Sequence, residues 1–127
     1  MIIEANVDNT LPSVNFDEVA GKLEIKGRSI FGSPEEFYTE LNDYIDVYAN
    51  YPSDLDVTMD LEYFNTPTAR CLVNFFKSCK KVIEKGAKLK INWIVDEDDT
   101  DMQEAGEDFS EIIKHPFDVV FRNPESS

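Results

Sequence analysis

From Leu55 to Tyr63 the chain alternates without interruption: Leu55, Val57, Met59, Leu61 and Tyr63 are apolar or aromatic, and Asp56, Thr58, Asp60 and Glu62 between them are polar. Successive strand residues point to opposite faces, so the segment predicts a strand with one buried and one solvated face. A strand of a doubly wound sheet is covered on both sides and reads as apolar throughout, which this one does not. In a chain that also carries helices, the alternation predicts an α/β protein of two layers, with the helices mainly on one side of the sheet.

The flanking segments fit that plan. Residues before Leu11 read as a short lead-in. PSVNF, from Pro12, and GKLEIKG, from Gly21, alternate and are joined by DEVA, which predicts a hairpin. Ser33-Pro34-Glu35-Glu36 predicts a helix start, with Ser33 as cap, Pro34 at the first helical position and Glu36 closing a capping box. Phe37, Leu41, Tyr44, Ile45 and Tyr48 follow at helical spacing until the punctuation NYPSD. After the strand, Leu72, Phe75, Phe76, Cys79, Val82 and Ile83 mark a second amphipathic helix that ends at Gly86, with Lys77, Lys80, Lys81 and Lys85 toward its negative end. Leu89, Ile91, Trp93 and Val95 predict another strand, joined to the first by a right-handed parallel crossover, with Trp93 buried. Met102, Ala105, Phe109, Ile112 and Ile113 form a helical stripe, and a last short strand is expected from Phe117 to Phe121 before the polar tail NPESS.

Charge narrows the partners. Twelve Lys and Arg against 26 Asp and Glu leave a net charge of −14, which repels nucleic-acid phosphates and anionic lipid. No apolar run approaches the roughly 20 residues of a membrane span, and the opening MIIEANVDNT lacks the basic region of a secretory signal. The expectation is a single domain over 1–127, cytoplasmic, with neither nucleic acid nor membrane insertion among its interactions. Cys71 and Cys79 lie on one predicted helix about 12 Å apart, at ~1.5 Å rise per residue, too far for a disulfide. They suit a reducing compartment.

Signatures of catalysis are missing: the sequence has no P-loop, no G-x-G-x-x-G, no G-x-S-x-G, and one histidine, His115, beside a proline. Nine acids between Asp96 and Glu111 invite a calcium site, but counting an EF-hand loop from Asp96 puts Thr100 at the third ligand and Asp101 at the obligatory glycine. No enzyme, no metal site and no cofactor are expected. The junction YFNTPTAR, Tyr63 to Arg70, holds two readings at once. Thr66 before Pro67 suits a helix cap, its hydroxyl accepting from the N–H of Thr68 or Ala69; the same exposed hydroxyl suits phosphorylation, because added charge there could block a docking surface.

LEYFNTPTARCL, together with GKLEIKG, KLKINWIVDEDDTDMQEAGEDF and HPFDVVF, resembles the SiaC family of bacterial regulatory phosphoproteins over about Leu11 to Phe121. The resemblance implies a STAS-like domain, a mixed sheet of about five strands with helices packed mainly on one face. It implies a non-enzymatic partner switch, phosphorylated by a protein kinase and reset by a PP2C-type phosphatase. The unmodified form is implied to bind and regulate a diguanylate cyclase, in control of cyclic-di-GMP and biofilm formation. The family's phosphorylated threonine matches Thr66, with Thr68 as second choice, and the partner-binding surface is expected from Tyr63, Asn65, Thr66, Pro67, Thr68 and Arg70. The alternative from composition is a constitutive acidic adaptor, binding a basic protein or a divalent cation through 96–111.

Overall fold

A computed structural model of the protein describes residues 1–51 and 53–122. Pro52 of the NYPSD punctuation and the tail NPESS lie outside the described residues. Six strands form one sheet: β1 (Ile2–Ile3), β2 (Ser13–Asp17), β3 (Lys22–Ser29), β4 (Leu55–Phe64), β5 (Leu89–Val95) and β6 (Asp118–Phe121), in sequential order across the sheet. The pairs β1–β2 and β2–β3 are antiparallel, and β3–β4, β4–β5 and β5–β6 are parallel. The expected hairpin and parallel crossover are both present. The sixth strand comes from the supposed lead-in, where Ile2 and Ile3 pair with Asn15 and Val14. Two residues carry too short a pattern to be read as a strand.

Helices α1 (Glu35–Ala49), α2 (Thr66–Cys79) and α4 (Thr100–Ile113) fill the three parallel connections, and the one-turn α3 (Lys81–Glu84) follows α2 after a break at Lys80. Leu55, Val57, Met59 and Leu61 of β4 are buried in one core with Leu41 and Ile45 of α1, Leu72 and Phe76 of α2, and Phe109 of α4. The other face carries exposed Lys22, Glu24 and Lys90 and half-buried Asp56, Thr58 and Asn92. The fold is therefore the two-layer, STAS-like arrangement that the alternation of β4 demands. Trp93 is 1% exposed, and its indole N–H donates to the Met102 carbonyl at 2.8 Å.

The alternation fails at its last residue. Pairing of β3 with β4 runs Gly27 to Leu61 and then Arg28 to Tyr63, so one extra residue of β4 is accommodated there. A bulge of this kind reverses which side chains face the core. Tyr63, expected inside, is 57% exposed, while Phe64 takes the inward place and packs on Trp93 and Phe109.

Two further local expectations are corrected. Pro34, not Ser33, is the residue preceding α1, and no side chain caps that helix. Pro34 already holds φ −83° and ψ 0°, close to helical, so Ser33 stands one position too early to reach the free N–H groups. Ile112, placed in the apolar stripe of α4, is 54% exposed; buried Gly106 occupies the stripe beside Trp93.

Candidate functional site: the junction of β4 and α2

The parallel strands deliver β3, β4 and β5 to one edge of the sheet, where their carboxyl ends meet the N-termini of α1, α2 and α4. Loops at such an edge are held by rigid elements on both sides and are where open α/β sheets place recognition. YFNTPTAR occupies the central position.

Asn65, not Thr66, caps α2. Asn65 is extended, at φ −94° and ψ 176°, and its side-chain oxygen accepts from the Thr68 N–H at 3.0 Å. Its side-chain amide donates to the Phe31 carbonyl at 3.1 Å, and its backbone N–H donates to the Ser29 carbonyl at 3.1 Å. The β4 strand stays extended through Phe64, so the following residue inherits the non-helical geometry that a cap requires. Thr66 becomes the first helical residue and Pro67 the second. The signal was present in the sequence, since Asn is at least as good a cap as Thr and Pro is tolerated anywhere in the first turn.

The two threonines then part company. Thr66 is exposed, and its hydroxyl makes no hydrogen bond to the described residues. Thr68 is 0% exposed, as is Ser29. The Thr68 hydroxyl donates to the Ser29 carbonyl at 2.9 Å and lies 2.8 Å from the Ser29 hydroxyl, which lies 2.9 Å from the Tyr38 phenol. Thr68 has one proton, already given to a carbonyl, so Ser29 must donate to Thr68 and Tyr38 must donate to Ser29. Every oxygen in this buried chain is satisfied. Burial holds the Tyr38 phenol above its ordinary 10.0, the hydrogen bond to Ser29 offsetting this only in part. Ser29 and Tyr38 attract no attention in the sequence because their neighbour Thr68 is remote from both along the chain.

Around Thr66 the surface is mixed. Tyr63 is exposed by the bulge with half-buried Arg28 paired opposite, and Phe31 is 41% exposed on the loop that Asn65 holds. Pro67 is half-buried. Arg70 is exposed one helical turn after Thr66, on the same side, and forms no ion pair with the described residues. The six residues expected in the site are thus brought together, but only Tyr63, Thr66 and Arg70 present their side chains freely.

The N-terminus of α2 offers an anion little. Pro67 has no N–H, the Thr68 N–H is taken by the Asn65 side chain, and the Ala69 N–H is taken by the Asn65 carbonyl at 3.0 Å. A phosphate on Thr66 would gain the helix dipole without a cradle of free donors.

Elsewhere the acidic segment disperses. Asp99 caps α4 by accepting from the Met102 N–H at 3.1 Å, and Asp96 pairs with Arg122 at 2.8 Å, which also grips Asp60. Among the described residues no three His, Cys, Asp or Glu side chains converge as a metal site. His115 is half-buried, its Nε2–H donating to the Leu89 carbonyl at 3.0 Å. Cys71 and Cys79 are buried free thiols on α2, and no helix among the described residues is long and apolar enough to cross a membrane.

The profile described as SiaC family regulatory phosphoprotein matches residues 5–122. A chain in the crystal structure of the diguanylate cyclase SiaD in complex with its activator SiaC from Pseudomonas aeruginosa superposes with a TM-score of 0.86 at 20% identity, over 96% of this chain and 99% of that one. The crystal structure of apo-SiaC from the same organism gives a TM-score of 0.82 at 20% identity, over 94% and 96% respectively. No curated protein sequence matches.

Proposed function

The chain belongs to the SiaC family of regulatory phosphoproteins, and we propose that it acts as a partner switch with no catalytic activity of its own. In this reading the unmodified protein binds and regulates a diguanylate cyclase, a protein kinase phosphorylates Thr66, and a PP2C-type phosphatase restores the free hydroxyl. The observation that carries the assignment is the contrast between the two threonines: Thr66 is exposed and unengaged, whereas the Thr68 hydroxyl is fully buried and bonded on both sides. A kinase can reach Thr66 without disturbing the fold. Reaching Thr68 would require pulling apart α2 and β3.

The geometry also supports how the modification acts. The phosphate adds about −1.5 to −2 charges. With the Thr68 and Ala69 N–H groups occupied and none on Pro67, it finds no cradle of donors at the helix end and stands at the surface near Tyr63, Phe31 and Arg70. There it changes the charge and shape of the docking face while leaving the core untouched. The complex of a structurally similar SiaC with a cyclase it activates supports the same class of output here. In this reading the chain acts in the cytoplasm, a compartment that suits its two free thiols.

The test assays purified diguanylate cyclases of the host with this chain added. Unmodified protein should raise cyclic-di-GMP formation, and stoichiometrically Thr66-phosphorylated protein should not. Equal stimulation by both forms, or a phosphate mapped by mass spectrometry to Thr68, would overturn the reading.

A further inference from the structure

A groove of about 600 Å³ lies far from Thr66. It is built by the last two turns of α1, the turn joining β2 to β3, and the segment leading into β4. Thr66 follows the other end of β4, a strand spanning about 30 Å at ~3.3 Å per residue. The two surfaces lie at opposite ends of the sheet.

Tyr44, Tyr48 and Tyr51 line the groove with Val47, and the carboxylates of Glu18 and Asp43 stand among them. No Lys or Arg lines it. Tyr44 is 40%, Val47 62% and Tyr51 76% exposed, a concentration of apolar surface on a strongly charged chain. Tyr48 sets the floor: its ring packs on Phe16 and its phenol donates to the Asp54 carbonyl at 2.6 Å. The carboxyl end of α1 points here as well, and its last turn carries no basic residue to offset the negative dipole end. Neither Glu18 nor Asp43 forms an ion pair with the described residues.

Aromatic faces attract cations, carboxylates attract them further, and the helix end adds to the same sign of potential. We propose that this groove docks a segment of a second partner protein that presents an arginine or lysine between apolar side chains. The groove is open to solvent, so a small molecule would be left largely uncovered, unlike ligands in true pockets. A second copy of the chain is disfavoured by the net charge of −14 on each. The site works independently of Thr66, and a partner held here can remain bound while the other face is switched.

The experiment is an NMR titration of the full chain with two acetylated and amidated peptides, one alternating leucine and arginine, the other with each arginine replaced by neutral, isosteric citrulline. The arginine peptide should shift the amide signals of Tyr44, Val47 and Tyr51, and the citrulline peptide should bind several-fold more weakly. Tyr44→Leu keeps apolar area but removes the aromatic face, and should weaken the arginine peptide by about twofold to tenfold. Thr66→Asp should leave its affinity unchanged, so failure at the groove is distinguishable from failure of the phosphorylation switch. Equal binding of both peptides, shifts confined to the acidic helix α4, or indifference to Tyr44→Leu would each overturn the proposal.

Discussion

Replacing Asn65 and Thr66 separately by alanine distinguishes the residue that holds the junction from the residue proposed to carry the signal. Asn65→Ala removes the bond from the Thr68 N–H, at 3.0 Å, and the bond to the Phe31 carbonyl, at 3.1 Å. Loss of a side-chain cap costs about 1 kcal/mol, and a second, partly exposed hydrogen bond adds about 0.5 kcal/mol. The expected total is about 1.5 kcal/mol. Thr66→Ala removes an exposed hydroxyl without a partner at a helical position where alanine is intrinsically preferred, so its effect should stay within about 0.5 kcal/mol of zero. Urea unfolding followed by tryptophan emission is a suitable assay, because the only tryptophan, Trp93, is buried and will report exposure. A destabilisation of 66 larger than that of 65 would refute the assignment of the cap. The functional readout should run the other way: Thr66→Ala abolishes phosphorylation, whereas Asn65→Ala retains it.

Gly106→Ala in α4 should destabilise the protein by about 1–3 kcal/mol despite the better helix propensity of alanine, because the new Cβ would stand 2.6 Å from Trp93 Cδ1 in a ring packed by Phe64, Phe76, Phe109 and Phe117; chemical denaturation of the variant checks it. Thr68→Val should cost about 1–3 kcal/mol by leaving the Ser29 hydroxyl without its acceptor, while Thr66 remains a kinase substrate, as mass spectrometry would show. Burial raises the Cys79 thiol and the Tyr38 phenol above their ordinary 9.0 and 10.0. Both groups keep their protons more tightly folded than unfolded, so the stability they contribute is complete below pH about 9 and is lost as pH rises further. Urea midpoints measured between pH 7 and 11 should fall at the alkaline end, and Cys79→Val should make that fall shallower.

How much was legible in the sequence depended on whether the deciding interaction was local. The alternation of Leu55 to Leu61 fixed one wet and one dry sheet face, since strand side chains alternate whatever surrounds them, and two layers with helices on one side follow from it. The helices were legible for the same reason, each carrying its own apolar stripe, and Trp93 could be placed inside from its position in an alternating run. The family was legible in the ordered motifs around YFNTPTAR. What the sequence did not contain was the register. Tyr63 continues the apolar alternation perfectly, yet a one-residue bulge opposite Gly27 and Arg28 turns it out to solvent and Phe64 in. Likewise the caps offered by Asn65 and Thr66 are chemically comparable, and the choice fell to Asn65 because β4 stays extended to Phe64 and because the Phe31 carbonyl waits across the junction. The partners that bury Thr68, Ser29 and Tyr38, come from β3 and α1, distant in sequence and adjacent only once β3 and β4 pair. The groove of Tyr44, Tyr48 and Tyr51 arises in the same way: Tyr44 and Tyr48 read locally as part of a core stripe and Tyr51 as punctuation, and only the packing of α1 beside the β2–β3 turn leaves all three lining an acidic surface. Local periodicity decides which face is apolar; long-range pairing decides which residues stand next to one another on it.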